Sequence, residues 1–216
     1  VEETVAGAAT SLSLRAGTII GGAGGTMSSV NNQAIDIDVD TVAANAATGI
    51  YLREVAAGGA ITVDTASAVT VNISGVVRAD FDSSTTSVAE TRTIASLEDL
   101  TSTSNGPIKL VAENGTIEIT GGANTTGISA NGTGDILLEA RGVNSDVIVN
   151  STVTSGSGHL TLDADRHIEI NAAVTVSTGS GTIYVLSGTD TDVDGQISSA
   201  SGDILVEAGD DVRQTA

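Results

Sequence analysis

The chain has 216 residues, 40% apolar but only 1% aromatic, with 26 Gly, one Pro and no Cys. Eight Lys and Arg stand against 27 Asp and Glu, a net charge of −19, which argues against nucleic acid and against insertion into or binding on an anionic membrane. The lack of cysteine removes disulfide staples and thiolate metal sites, and no apolar run approaches the roughly 20 residues of a membrane helix.

In chain order, Val1 to Ala9 reads as the interior of a longer array, with no initiator Met and no leader pattern. Leu12, Leu14 and Ala16 alternate with Ser11, Ser13 and Arg15, the period-2 pattern of a half-buried strand. Gly21-Gly22-Ala23-Gly24-Gly25 reads as a tight corner; a phosphate-binding loop would need a following helix and a closing Lys-Ser/Thr pair. In Ala34-Ile35-Asp36-Ile37-Asp38-Val39-Asp40 the aliphatics turn inward and three aspartates outward, about 6.6 Å apart. That row is a solvated acidic face or a cation site shared with the next coil. Ile50-Tyr51-Leu52, Ile61-Thr62-Val63 and Val69-Thr70-Val71-Asn72-Ile73 supply further short strands. The spacing then loosens. Residues 74–105 read as an excursion off the stack, a strand pair or a short helix around Ser96 to Leu100, where a binding surface is expected.

Regular spacing resumes at Ile108. Gly134-Asp135-Ile136-Leu137-Leu138-Glu139-Ala140 returns as Gly202-Asp203-Ile204-Leu205-Val206-Glu207-Ala208, with only Leu138 changed, to Val206. Weaker copies begin at Gly158 and Gly181, so the four glycines fall 24, 23 and 21 residues apart. A period of this size is the signature of a solenoid. Each coil offers three short alternating runs, such as Ile136/Leu138/Ala140, Val147/Val149 and Val153, between corners of Gly, Asn, Asp, Ser and Thr. The expectation is an all-β chain, a parallel β-helix of about nine coils of roughly 20–28 residues and about 40 Å long. Residues 1–73 form its first coils, 74–105 the excursion and 106–216 the regular coils. All of 1–216 is then one segment of a longer repeat array, whose neighbouring repeats are its first partners; Ser201 to Ala216 opens a further coil.

Asp190-Thr191-Asp192-Val193-Asp194-Gly195 matches the opening of a calcium loop, with oxygen ligands at alternate positions and a Gly for the bend. Asp190, Asp192 and Asp194 are therefore the candidate calcium ligands. The twelfth position is Ser201 instead of a bidentate Glu, and the flanks read as strands, so an acidic β-turn is the rival. Asp163-Ala164-Asp165-Arg166-His167 gathers acids, a base and a cation, but with one Lys and scattered Arg the positive charge needed beside an anionic sugar is thin. The alternative there is a polar corner with Arg166 paired to a carboxylate. His159 and His167, eight residues apart within one coil, belong on different faces.

The Ser/Thr-Gly-x-Ile/Leu-x-Leu/Val pattern, seen in Ser157-Gly158-His159-Leu160-Thr161-Leu162 and Ser201-Gly202-Asp203-Ile204-Leu205-Val206, resembles giant repetitive bacterial surface proteins of the filamentous-haemagglutinin type. The turns Thr152 to Gly158 and Glu98-Asp99, with the polar run Leu100 to Gly106, are similar to linkers in such arrays. The resemblance implies a right-handed coil, secretion to the cell surface and an adhesive or architectural role, and it carries over no catalytic residue. The excursion departs from a plain coil array. The expected function is an extracellular stalk presenting side loops to cell-surface glycans or proteins. The alternatives are a module that self-associates end to end into filaments or a surface layer, and a polysaccharide-active β-helix enzyme.

Overall fold

The computed structural model describes residues 10–22 and 33–214; the readings of Val1–Ala9 and of Ala23–Gly25 lie outside the described residues. Every element among these residues is a strand. A 13-stranded and an 8-stranded parallel sheet wind into a β-solenoid, and one antiparallel hairpin stands apart.

The front sheet stacks Gly49–Glu54, Ile108–Ala112, Ile136–Ala140, Leu160–Ala164, Ile183–Ser187 and Ile204–Ala208, with Ile19–Ile20 and Ile35–Ile37 sharing the tier beneath Gly49–Glu54. Its register never slips: Ile50, Ile108, Ile136, Leu160, Ile183 and Ile204 lie directly over one another. The second face runs from Ile61–Val63 through Ile117–Ile119, Val147–Val149, Ile168–Ile170 and Thr191–Val193 to Val212–Arg213. The third runs from Leu100–Ser102 through Thr126–Ala130, Thr152–Ser155 and Thr175–Thr178 to Gln196–Ser199. Thr41–Ala46 joins these two faces, its start pairing with Ile61–Val63 and its end with Leu100–Ser102, above Ser11–Arg15.

The period-2 pattern fills the triangular interior with columns. Leu52, Leu110, Leu138, Leu162 and Val185 form one, all at 0% exposure. Each such side chain contributes roughly 1.5–3 kcal/mol by leaving water. Between the third face and the front sheet the chain turns on a repeated hydroxyl–glycine device. Ser155 Oγ accepts from Gly158 N at 2.8 Å and donates to the carbonyl of Gly134, one tier below, at 2.7 Å. Thr178 does the same with Gly181 N and Gly158 O, and Ser199 with Gly202 N and Gly181 O. The corner thus meets its hydrogen-bonding demand within the chain. The glycines are required because each lies against the backbone of the one below: a Cβ on Gly158 would drive into the carbonyl of Gly134.

Three expectations change. The front sheet has seven tiers among the described residues instead of about nine coils, a stack about 30 Å high. The excursion adds no tier and begins earlier than it looked: the hairpin strands are Val69–Ala79 and Thr85–Ile94, so Val69, Val71 and Ile73 leave the stack, although their alternation looks like a core strand. The excursion also ends earlier than residue 105, and no helix forms at Ser96 to Leu100; Leu100 is back inside at 0% exposure. The boundary between first coils and excursion therefore falls before Val69, not after Ile73.

Candidate functional site

The outer surface of the front sheet carries a ladder of ion pairs along the rod. Arg53 donates to both carboxylate oxygens of Asp36, at 2.7 and 2.8 Å, and lies 3.8 Å from Glu113. Glu113 accepts from Arg141 at 2.9 and 3.0 Å, and Arg141 donates to Glu139 at 2.8 Å. The Arg53 guanidinium holds Asp36 below the usual carboxylate range. In the next tier Asp163 is the register partner of Glu139. Burial, then the charges of Glu139 and Asp165, push its carboxyl up, with Arg141 opposing. Tyr184 continues the line, donating to Glu207 at 2.6 Å. Glu139 Oε2 is buried with no hydrogen-bond partner.

The candidate calcium ligands lie on the second face and its corners. Asp190 Oδ2 is 3.0 Å from Arg213 Nη1, and the same nitrogen is 3.6 Å from Asp192 Oδ1. The Arg213 guanidinium holds Asp190 below the usual range. Asp192 Oδ2 also lies 3.5 Å from His167 Nε2, and Asp194 sits on the exposed corner beyond the strand. A guanidinium from the tier above therefore occupies the space between the first two aspartates. In the Asp163–His167 segment, Arg166 pairs bidentately with Asp146 of the preceding tier, and Asp165 accepts from Gly142 N at 2.6 Å. The two histidines part company: His159 meets Thr182 at 2.8 Å, His167 meets Asp192.

The most exposed feature is the hairpin, a ribbon of 11 and 10 residues standing off the rod. Its root is braced. Arg15, on the first described strand, donates to the carbonyls of Ala95 and Ser96 at 3.0 and 2.8 Å. Ala66 and Leu97 exchange backbone hydrogen bonds at 2.8 and 3.0 Å. Asn124 Nδ2 donates to Glu98 at 2.7 Å and to Asp99 at 3.0 Å. Asp99 is only 6% exposed, has φ +66° and leaves Oδ1 without a partner. Burial pushes its carboxyl up; the Asn124 bond opposes this, and the charges of Glu98 and Asp64 add to the rise.

Because the folded-state value is raised, the folded chain favours the protonated acid more than the unfolded chain does. The stability it contributes is complete below the ordinary 3.8 and is lost as pH rises through the raised value. Asp99→Asn is therefore expected to stabilise the chain at neutral pH by about 1 kcal/mol and to change little near pH 3.5. Asn tolerates the left-handed backbone and keeps an oxygen for Asn124. Urea unfolding at the two pH values checks this.

Sequence reasoning missed Glu54. It points inward where Ala112, Ala140 and Ala164 stand in later tiers, and is 1% exposed. It accepts from Val39 N at 3.1 Å and Ala56 N at 2.8 Å, closing the junction with the tier below. Burial pushes its carboxyl up against those two bonds. The signal was available: Tyr51-Leu52-Arg53-Glu54 aligns with Lys109-Leu110-Val111-Ala112 and places an acid at a core position. Arg15, Asn124 and the ladder's contacts between tiers gave no such signal, since those partners lie 17 to 81 residues away. No family model matches this sequence, and neither a curated protein nor a solved structure matches it.

Proposed function

We propose that this chain is a stiff structural segment of an extracellular bacterial surface protein, and that its braced ribbon is the contact element used for attachment. The observation that carries this reading is the ribbon itself. Val69, Val71, Val76, Val77 and Ile94 are 48–59% exposed, and Phe81 at the tip is fully exposed. A two-stranded ribbon with both faces in water is marginal by itself, and such exposure of apolar side chains on a soluble surface marks an interaction site. The rod supplies what a stalk needs: columns in unslipped register along the front sheet and an acidic, self-repelling exterior. The resemblance of the Ser157–Leu162 and Ser201–Val206 patterns to filamentous-haemagglutinin-type proteins supports surface localisation and adhesion. The reading does not depend on calcium; Arg213 pairs with Asp190 at 3.0 Å and lies 3.6 Å from Asp192.

The test replaces residues 69–94 with Gly-Ser-Gly. Beads carrying the native chain are expected to stay on polystyrene and on mucin-coated glass under flow. Beads carrying the replaced chain are expected to lose at least ten-fold in retention while its melting temperature stays within a few degrees. Undiminished retention overturns the reading. One observation favours a polysaccharide-active solenoid, the stacking of Asp163 on Glu139 beside Arg141. That alternative requires reducing ends to accumulate when the chain is incubated with acidic polysaccharides, and to stop doing so in Asp163→Asn.

A further inference from the structure

Cross-strand register sorts the ribbon's side chains onto two faces of opposite character. Directly opposed residues point the same way, and so do alternate residues along a strand. Val69 with Ile94, Val71 with Arg92 and Ile73 with Glu90 therefore share one face. Strict alternation would next turn Gly75 and Val77 to that face. Instead the register shifts between Ile73 and Val76, where Gly75 takes φ +76°, and Val76 faces Val88 on the same side as Ile73. The bulge thus keeps one continuous apolar face. The reverse face is hydroxylic: Thr70 meets Thr93 at 3.2 Å, and Thr91 donates to Asn72 at 2.9 Å.

We infer that the apolar face of this ribbon packs against the same face of a second copy of the chain, across a two-fold axis. The inference rests on the reading of the ribbon as the contact element and names its partner. Charge selects that partner. The ribbon holds Arg78 and Arg92 against Asp80, Asp82 and Glu90, a net −1 within a chain of −19. The two chains repel overall, and the ribbon joins a near-neutral charge to an exposed apolar face where they can meet. This face also carries Glu90 and Arg92, two residues apart on one strand and 3.8 Å from each other within the chain, while Arg78, towards the tip on the same face, is already paired with Asp80 at 2.8 Å. A two-fold axis between them sets Glu90 of one copy beside Arg92 of the other, and the reverse, which makes the face self-complementary. At about 34 Å by about 10 Å per copy, the contact is smaller than a standard stable interface, so the dimer is weak and concentration-dependent.

Sedimentation velocity of the native chain between 1 and 300 µM is the test. The mass is expected to rise from 21.3 kDa towards twice that value. The double variant Val71→Ser, Val76→Ser is expected to stay monomeric at 300 µM with its rod melting unchanged. Val77→Ser, on the hydroxylic face, dimerises like the native chain. Glu90→Arg alone and Arg92→Glu alone each weaken association at least ten-fold, and mixing the two restores it. A native chain that is monomeric throughout overturns this pairing and sends the face to a different protein, while the bead-retention result still decides the contact reading by itself. A dimer that survives the double variant, or is lost equally in Val77→Ser, also overturns it.

Discussion

Gly158→Ala is expected to destabilise the rod by about 3 kcal/mol, the upper range for forcing atoms into a packed interior. The glycine is not needed for an unusual backbone angle; it is needed because a methyl group there would occupy the space of the Gly134 carbonyl. That carbonyl cannot yield cheaply, since it accepts from Ser155 at 2.7 Å, and Ser155 in turn accepts from Gly158 N. The strain spreads to the tier above, where Thr178 donates to Gly158 O. Gly17→Ala is the matched control: a Cβ there meets nothing within 4 Å, so its unfolding curve is expected to overlay the native one. Equal effects in the two variants would show that the glycine spacing has another cause.

Leu138→Ala is expected to cost about 3 kcal/mol, within the range for truncating a leucine in a rigid core. Leu138 is fully enclosed between Leu110 below and Leu162 above, in columns held by unslipped ladders on both sides, so the gap has little means to close. Leu205→Ala is the contrast. It lies on the outer face at 51% exposure, and its loss is expected to stay under about 1 kcal/mol. Urea titration of both variants measures the difference, and similar losses would contradict the inward assignment of the Leu138 column.

How much was legible depends on whether a signal was local. Ile136, Leu138 and Ala140 announce a face through their own alternation, and they are buried together with Val147, Val149 and Val153 of the same coil. The same rule failed at Val69, Val71 and Ile73. Alternation reports that a strand has an apolar face, but not what lies against that face. Leu100 failed in the opposite sense: a single aliphatic among polar neighbours looks like loop, yet stacking Ile128 over it buries it completely. The calcium reading shows a similar limit. Asp190, Asp192 and Asp194 carry suitable oxygens at suitable spacing, but Arg213 reaches two of them from a strand that lies close only after the coil closes.

The sequence by itself determined the coil. Aliphatics at period two, with glycines and hydroxyls at a period near two dozen, leave a parallel stack as the arrangement that buries the apolar side chains and satisfies the corners. Tertiary structure decided where the chain leaves the stack, which charges pair, and that the ribbon is braced by Arg15 and Asn124. The physical reason is range. Burial patterns are written into neighbouring residues, whereas ion pairs and braces depend on which tiers come within a few ångströms of each other, and that follows only once the register of every coil is set.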